Sequence, residues 1–548
     1  MSVSAVVNGS DATGAGPKRS GAPCSVPSLA NARIGGLGIG GLGPDAQRVI
    51  GSMVHGPGSA KNSDPFDSPI RGSSRSIAEI TLPLAYGDFK AHVFETSISG
   101  RHIVALFRGD ISSSEPLLAR FHSECITSEG LGGCDCDCVE QLNASLEAIA
   151  EEGRGIVFYL RQEGRGAGYH AKARDRMGVA ATDNEANTFH MYEALGLPGD
   201  PRDYSAVGEC AYLLGITAPI RLMTNNPAKL DSVEKMGITA HSHVPLEVRT
   251  NPFNHSYLTA KRDAGGHQLK AEGALAVSHF PWPVKVFKPS TVLEAMRFSH
   301  EATYPLPIRA FNGEYVIPLT DLKTASQLVA NGPGADALLA ITPVEQERVR
   351  IQLDEGKISA LLASNPGHEL FPFLNRHTTW FDAHVYHDQL SGLNYVVLEY
   401  GGHLADELKR SIVPLVRVQP ESILRRFPLA NKPTTYEDSV REIVARGRGA
   451  IATYPEDGKG NGLAAVFLER QLIETGLASS PEEACKLIGT APDPRDYGPI
   501  ARLISRHFGP GPIQLILRER NKDPKRPIGD LIGQLTQNGV TLGEHKFL

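Results

Sequence analysis

"GRGIVFYLRQEGRGAG", Gly153 to Gly168, is a short apolar run that breaks into a charged loop punctuated by glycines. A run rich in β-branched and aromatic residues, bounded by glycine, reads as a buried strand with a loop at its carboxyl end. "IVALF" and "IRLMT" have the same character, and the helical stretch "CVEQLNASLEAIAEEG" lies between the first of them and this run. Strands that alternate with helices indicate an α/β fold. The stretch also recurs. It aligns without a gap on "GRGAIATYPEDGKGNG", Gly447 to Gly462, and "DPRDY" at Asp200 to Tyr204 returns at Asp493 to Tyr497. Upstream, "FKAHVFE" finds "FDAHVYH" and "LARFHSEC" finds "LVRVQPES". Matches in one order at similar intervals argue for a duplicated domain.

The two copies differ at their cysteines. "ECITSEGLGGCDCDCVEQL", Glu124 to Leu142, holds four of the chain's seven cysteines, whereas Ser422 faces Cys125 and nothing in the second copy replaces "CDCDC". Residues two apart cannot easily adopt relaxed disulfide geometry, and an odd total does not suit a secreted disulfide framework. Several thiolates converging on one point suit a soft divalent ion, and three of them leave a tetrahedral Zn2+ one open position for hydrolytic chemistry. Cys125, Cys136 and Cys138 are the candidates, with Cys134 either a rival ligand or an adjacent free thiol.

Around them lie groups suited to an anionic substrate. Arg120, His122 and Glu124 precede the first cysteine; Glu163 and Arg165 sit among glycines whose N–H groups can approach phosphate. Asp200 and Arg202 share one face of an extended segment, and Thr224 and Lys229 follow an apolar strand.

These features divide the chain into four parts. Residues 1–75 form a flexible Gly/Ser/Pro-rich arm, and its "IGGLGIGGLGPD" lacks the context of a phosphate loop. Residues 76–285 form the catalytic domain, 286–376 a mostly helical connector, and 377–548 a degenerate copy without metal ligands. The copies pair as an internal pseudo-dimer, with a further homodimer left open. The 548 residues are 41% hydrophobic and 21% charged, with a net charge of −6, so no basic field points to nucleic acid. No apolar run is long enough to span a bilayer, and the opening residues lack a secretory pattern, so the expected compartment is the cytoplasm.

"RFHSECITSEG", "CDC", "RQEGRG", "EAN", "DPRDY", "LMTNNPAK" and "NPFNHSYLTAKRDAGGH", in that order, resemble GTP cyclohydrolase II from about residue 77 to 270. The resemblance implies one Zn2+ per chain held by Cys125, Cys136 and Cys138. It implies a nucleotide bound by Arg120, His122, Ser123, Glu124, Gln141, Glu163, Gly164, Arg165, Thr224 and Lys229. It also implies ring hydrolysis with release of formate, and Asp200 and Arg202 acting at the phosphate as proton acceptor and nucleophile.

The departures are local. Arg176 stands where the family has a tyrosine, Asp183 where it has a threonine, and "GGCDCDC" replaces "SLRCDCG". In these the chain is most similar to the family's long uracil-catabolism branch. That likeness implies opening of a uracil nucleotide, UMP favoured, with Arg176 or Glu163 assisting and Asp183 altering the base pocket. GTP hydrolysis for riboflavin synthesis is the alternative. A non-catalytic nucleotide-binding regulator with structural zinc is a third reading, which product release with and without chelator would separate.

Overall fold

The computed structural model describes residues 74–96, 102–269, 280–291, 297–309, 314–330, 338–344, 348–354, 379–522 and 529–548, apart from a few single positions within them. The N-terminal arm lies outside these residues except for Ser74 and Arg75.

Seven strands form the first sheet: β1 (Arg75–Leu84), β2 (Gly87–Glu95), β3 (His102–Arg108), β4 (Leu117–Ser123), β5 (Gly155–Leu160), β6 (Ile220–Met223) and β7 (Ala240–Val244). Their order is β1-β2-β3-β5-β4-β6-β7. Burial alternates along β1, as expected of a strand with one face toward a core, whereas every residue of β5 is buried, as parallel strands covered on both faces must be. β4 runs parallel to both β5 and β6, so the carboxyl ends of these three strands share one edge of the sheet. Helices α1 (Cys138–Glu152), α2 (Tyr169–Ala181) and α3 (Ser205–Leu213) cover the layer.

A second sheet begins with β8 (Ser290–Thr291) and β9 (Phe298–Ile308). Next, β10 (Glu314–Pro318), β11 (Leu338–Val344) and β12 (Arg348–Leu353) make a separate three-stranded sheet beside helix α4 (Leu322–Ala330). The second sheet resumes with β13 (Thr379–Asp388), β14 (Asn394–Tyr400), β15 (Leu415–Glu421), β16 (Gly449–Pro455), β17 (Pro512–Leu517), β18 (Thr541–Leu542) and β19 (Lys546–Phe547). Its helices include α5 (Thr435–Arg446), α6 (Leu463–Glu474) and α7 (Gly498–Phe508). From β9 the order runs β9-β13-β14-β16-β15-β17-β18, the order of the first sheet strand for strand. The senses also correspond, antiparallel through the β14–β16 pair and parallel from β16 onward.

The expectation of a mostly helical connector is corrected. Among its described residues five strands accompany one α-helix, and two of them, β8 and β9, belong to the second sheet. The charged run "RVRIQL" has period two, with Val349, Ile351 and Leu353 buried, and this alternation makes a strand despite the Glu, Gln and Arg around it.

The two units meet reciprocally. α2 packs on β9 and α6 on β1. Ala85 N–H donates to Pro428 O at 2.7 Å and Ala430 N–H to Pro83 O at 3.0 Å. In the mirror arrangement, Cys134 N–H donates to Pro307 O at 3.0 Å and Arg309 N–H to Gly132 O at 2.9 Å. No helix among the described residues is long and apolar enough to cross a membrane.

Candidate active site

The parallel strands deliver their side chains to one edge. Glu124, just past β4, donates its N–H to Leu160 O at 2.9 Å, so β4 and β5 stay joined to their ends. After Cys125 one π-helical turn, Ile126–Gly130, reverses the chain toward α1, whose first residue is Cys138. Cys138 thus opens the helix and Cys136 lies two residues before it, and hydrogen bonding to Cys125 together with burial raises both thiols well above their ordinary pKa. The sulfurs of Cys125, Cys136 and Cys138 lie within 4.8 Å of one another, with Cys125 and Cys136 3.6 Å apart. A tetrahedral centre with metal–sulfur bonds of about 2.3 Å spaces its sulfurs by about 3.8 Å, so this cluster fits a metal. Cys134 turns away: its buried thiol donates to Pro307 O at 3.3 Å, and burial pushes its pKa well up. Its place is explained by the seam between the units.

Hydrogen bonds from the Cys136 and Cys138 thiols, reinforced by the Lys172 ammonium, hold the Cys125 thiol well below its ordinary pKa. Lys172 Nζ lies 3.0 Å from Cys125 Sγ and 2.9 Å from Glu163 Oε1. The loop before α2 makes that approach feasible. Gly164, Arg165 and Gly166 all have positive φ, and a Cβ on Gly164 would meet Lys172 Cβ at 3.3 Å. Glu163 also accepts from Ile126 N–H at 2.5 Å and Gly164 N–H at 3.0 Å, and burial pushes its pKa up to about 7. In the second unit Asp457 accepts from Ile423 N–H at 2.8 Å in the same manner. Glu163 therefore holds the cysteine loop in addition to any proton it moves.

A cavity of about 240 Å³ opens beside the sulfurs. Seven lysines and arginines line it against four carboxylates, an excess suited to an anionic ligand. Arg120 is buried, donating to Met223 O at 2.9 Å and to Gln141 Oε1, and burial lowers its pKa to about 10. Lys229 donates to Phe121 O at 2.6 Å; burial, then Arg120 and Arg202, holds it well below its ordinary value. Neither cation forms a salt bridge among the described residues, so a bound anion would relieve both. Arg202 forks onto Asp200, with Nε donating to Oδ1 at 2.6 Å, and Asp493 and Arg495 repeat the fork in the second unit. Ser123, Gly164, Arg165 and Thr224 complete the expected lining, and Arg165 lies 4.2 Å over the Phe189 ring. His122 bonds to Glu129 Oε1 at 2.8 Å, and burial lowers its pKa, favouring the neutral ring.

The two departure positions separate. Arg176 lines the cavity, 3.2 Å from Asp135 Oδ2 and 4.5 Å over the Tyr257 ring. Asp183 is not among the lining residues, and the expectation that it shapes the base pocket is not supported. It occupies a left-handed turn after α2, with φ 51°, and its Oδ1 accepts from Phe280 N–H at 3.0 Å. Sequence reasoning missed Lys172, Asp175, Tyr257 and Lys261, all on the wall. Thr188 donates to Asp175 at 3.0 Å, and burial pushes that carboxyl up to about 6. Tyr257 and Lys261 fall within a quoted motif; Lys172 and Asp175 come from helix periodicity, which carries no chemical signature.

The second unit braces the cavity wall from behind through Arg426, which donates to the lining residue Glu124 at Oε2, 2.5 Å away, and to Tyr159 OH at 3.2 Å. Removing one partner of a buried pair costs about 3–5 kcal/mol, because a charge is left uncompensated. Arg426→Ala should lower stability by about 3 kcal/mol in urea unfolding and raise KM; an unchanged midpoint and KM would show that the contact is dispensable.

A family model described as GTP cyclohydrolase II matches residues 74–245. A GTP cyclohydrolase-2 from Hahella chejuensis is 46% identical over 193 residues, which are 35% of this chain and 91% of that protein. Those of Shewanella amazonensis and Pseudomonas putida are 41% and 43% identical over 36% of this chain, covering 96% and 94% of theirs.

Proposed function

The chain belongs to the GTP cyclohydrolase II family, and on that premise we propose that residues 76–285 open the base ring of a uracil nucleotide, UMP, at a Zn2+ held by Cys125, Cys136 and Cys138. The observation that carries the reading is the cation-rich cavity lined by two of the three clustered cysteines, Cys125 and Cys138, with Arg176 on its wall. Bound there, zinc would make water a stronger nucleophile near neutral pH and polarise a ring carbonyl. The chain's own residues do the rest. Arg120 and Lys229, both short of a counter-charge, bind the phosphate end. Arg202, fixed by Asp200, orients the ribose phosphate. Glu163 Oε1, poised near neutrality and held in place by the Lys172 ammonium, takes up and returns a proton. Arg176 stabilises negative charge developing on the base.

In this reading residues 377–548, completed by β9 in the place of β1, are a degenerate copy. The matching strand order supports it, and Ser422 in the place of Cys125 removes the thiol cluster. A second reading, GTP as substrate, is favoured by Tyr257, which returns a phenol to the cavity although Arg176 holds the family tyrosine's place.

The test is to incubate zinc-loaded protein with UMP, UTP and GTP and follow base absorbance and formate. UMP should lose its chromophore, with GTP turned over several orders of magnitude more slowly, as polar mismatch in a pocket dictates. Formate from GTP with UMP untouched would return the protein to the parent activity. Arg202→Ala should raise KM at least as much as it lowers kcat; a loss confined to kcat would place Arg202 in bond breaking instead.

A further inference from the structure

Within the second unit His384 on β13, Glu399 on β14 and His507 on α7 converge. Glu399 Oε2 lies 3.3 Å from His384 Nε2 and 3.1 Å from His507 Nε2, and all three donor atoms fall within 4.8 Å. We propose that this trio is a second metal site, taking a divalent d-block cation such as Zn2+ through two imidazole nitrogens and one carboxylate.

The competing account is an ion cluster with a purely structural role, and three observations weigh against it. The first is positional. Asp382 pairs with Glu399 as Lys90 pairs with Phe107 in the first sheet, so Glu399 takes the place of Phe107. Counting ten residues from Tyr204 and Tyr497 sets His507 in the place of Leu214. Phe107 and Leu214 belong to an apolar cluster, and only His384 has an ionisable counterpart, His92. Two ionisable groups thus replace hydrocarbon in the same architecture, a costly exchange unless something compensates it.

The second observation concerns the far ring nitrogens. Thr303 Oγ1 lies 3.0 Å from His300 Nε2 and 2.9 Å from His384 Nδ1. A hydroxyl has one proton, so when Thr303 donates to His300 it accepts from His384 Nδ1–H. His507 Nδ1 similarly faces Tyr386 OH at 3.5 Å. In that tautomer the His384 Nε2 lone pair points at the carboxylate, an arrangement that repels unless a cation lies between, while His507 Nε2 lies within hydrogen-bonding distance of the same oxygen, at 3.1 Å. Buried His384 Nε2 accordingly makes no well-formed hydrogen bond. A metal-bound histidine almost always donates its other N–H in this way.

The third is space. A Cβ on Gly402 would fall 2.7 Å from Glu399 Oε2, so glycine leaves room for the carboxylate to stay aimed at the two rings. The side chains of His384, Glu399 and His507 retain 16%, 14% and 8% exposure, which lets an ion enter, and three ligands leave an open coordination position.

Full-length protein stripped with chelator and titrated with Zn2+ tests this. Wild type should bind two ions per chain, and Cys136→Ser and Glu399→Gln one each. Gly402→Ala, which leaves all three ligands present, should also lose the second ion. With Co2+, Cys136→Ser should lose thiolate charge-transfer absorption yet keep visible bands, and Glu399→Gln the reverse. Should Glu399→Gln fail to fold, His384→Ala carries the same readout. One ion in wild type, none in Cys136→Ser, or a second ion retained in both Glu399→Gln and Gly402→Ala would overturn the site.

Discussion

Cys136→Ser should lower turnover by more than about a thousandfold, a larger loss than removal of a single oxyanion donor causes, because the metal and its geometry go together. Cys136 lies between the other two ligands in sequence, 3.6 Å from Cys125 and two residues before the helix that begins at Cys138. A hydroxyl there is a poorer, protonated donor, and two thiolates cannot hold zinc at an open site. Cys134→Ser, by contrast, exchanges one buried donor to Pro307 O for another that can make the same hydrogen bond and lies outside the ligand set, so metal content and rate should stay within about twofold. Metal analysis and kcat/KM on both variants decide the matter. If Cys134→Ser empties the site while Cys136→Ser keeps it, the ligand set is misassigned.

Lys172→Met should cost about a hundredfold to a thousandfold in kcat/KM, since it strips a preorganised charge from a buried site. Its ammonium serves Cys125 and Glu163 together, so the loss has a signature in pH. Burial raises the Glu163 pKa to about 7, and Lys172 opposes that rise. Without the lysine the carboxyl holds its proton to higher pH, so the rising limb of the kcat/KM profile should move upward. Stability follows the same sign. A carboxyl raised by folding makes the native state bind more protons, so stability declines as pH climbs from the ordinary carboxylate range through about 7. In the variant the decline should extend further. An unshifted limb with a lower plateau would assign Lys172 to packing alone.

How much of this was legible follows from what each feature leaves in sequence. Strands buried on both faces, such as β4 and β5, are unbroken apolar runs and read directly. The thiol cluster was legible because the three sulfurs come from one short segment. The connector was not, because charged residues on the exposed face of β12 imitate a solvated helix until the period is counted. Lys172 and Asp175 were invisible for another reason: α2 turns them inward only because of where the glycine loop sets it. Asp183 misled in the opposite direction, since adjacency to a motif says nothing about which way a turn residue faces. His384, Glu399 and His507 lie on two strands and a distant helix, so only the folded sheet brings them together.

The seam described above has a bearing on how the protein behaves in dilution. Arg426 sits on Glu124 through a contact made within one polypeptide. Where two separate chains supply such halves, falling concentration pulls them apart; here the effective concentration of one half around the other is set by the tether and does not fall. The completed cavity is therefore as intact in a single molecule as in a crowd, and its occupancy depends on ligand alone.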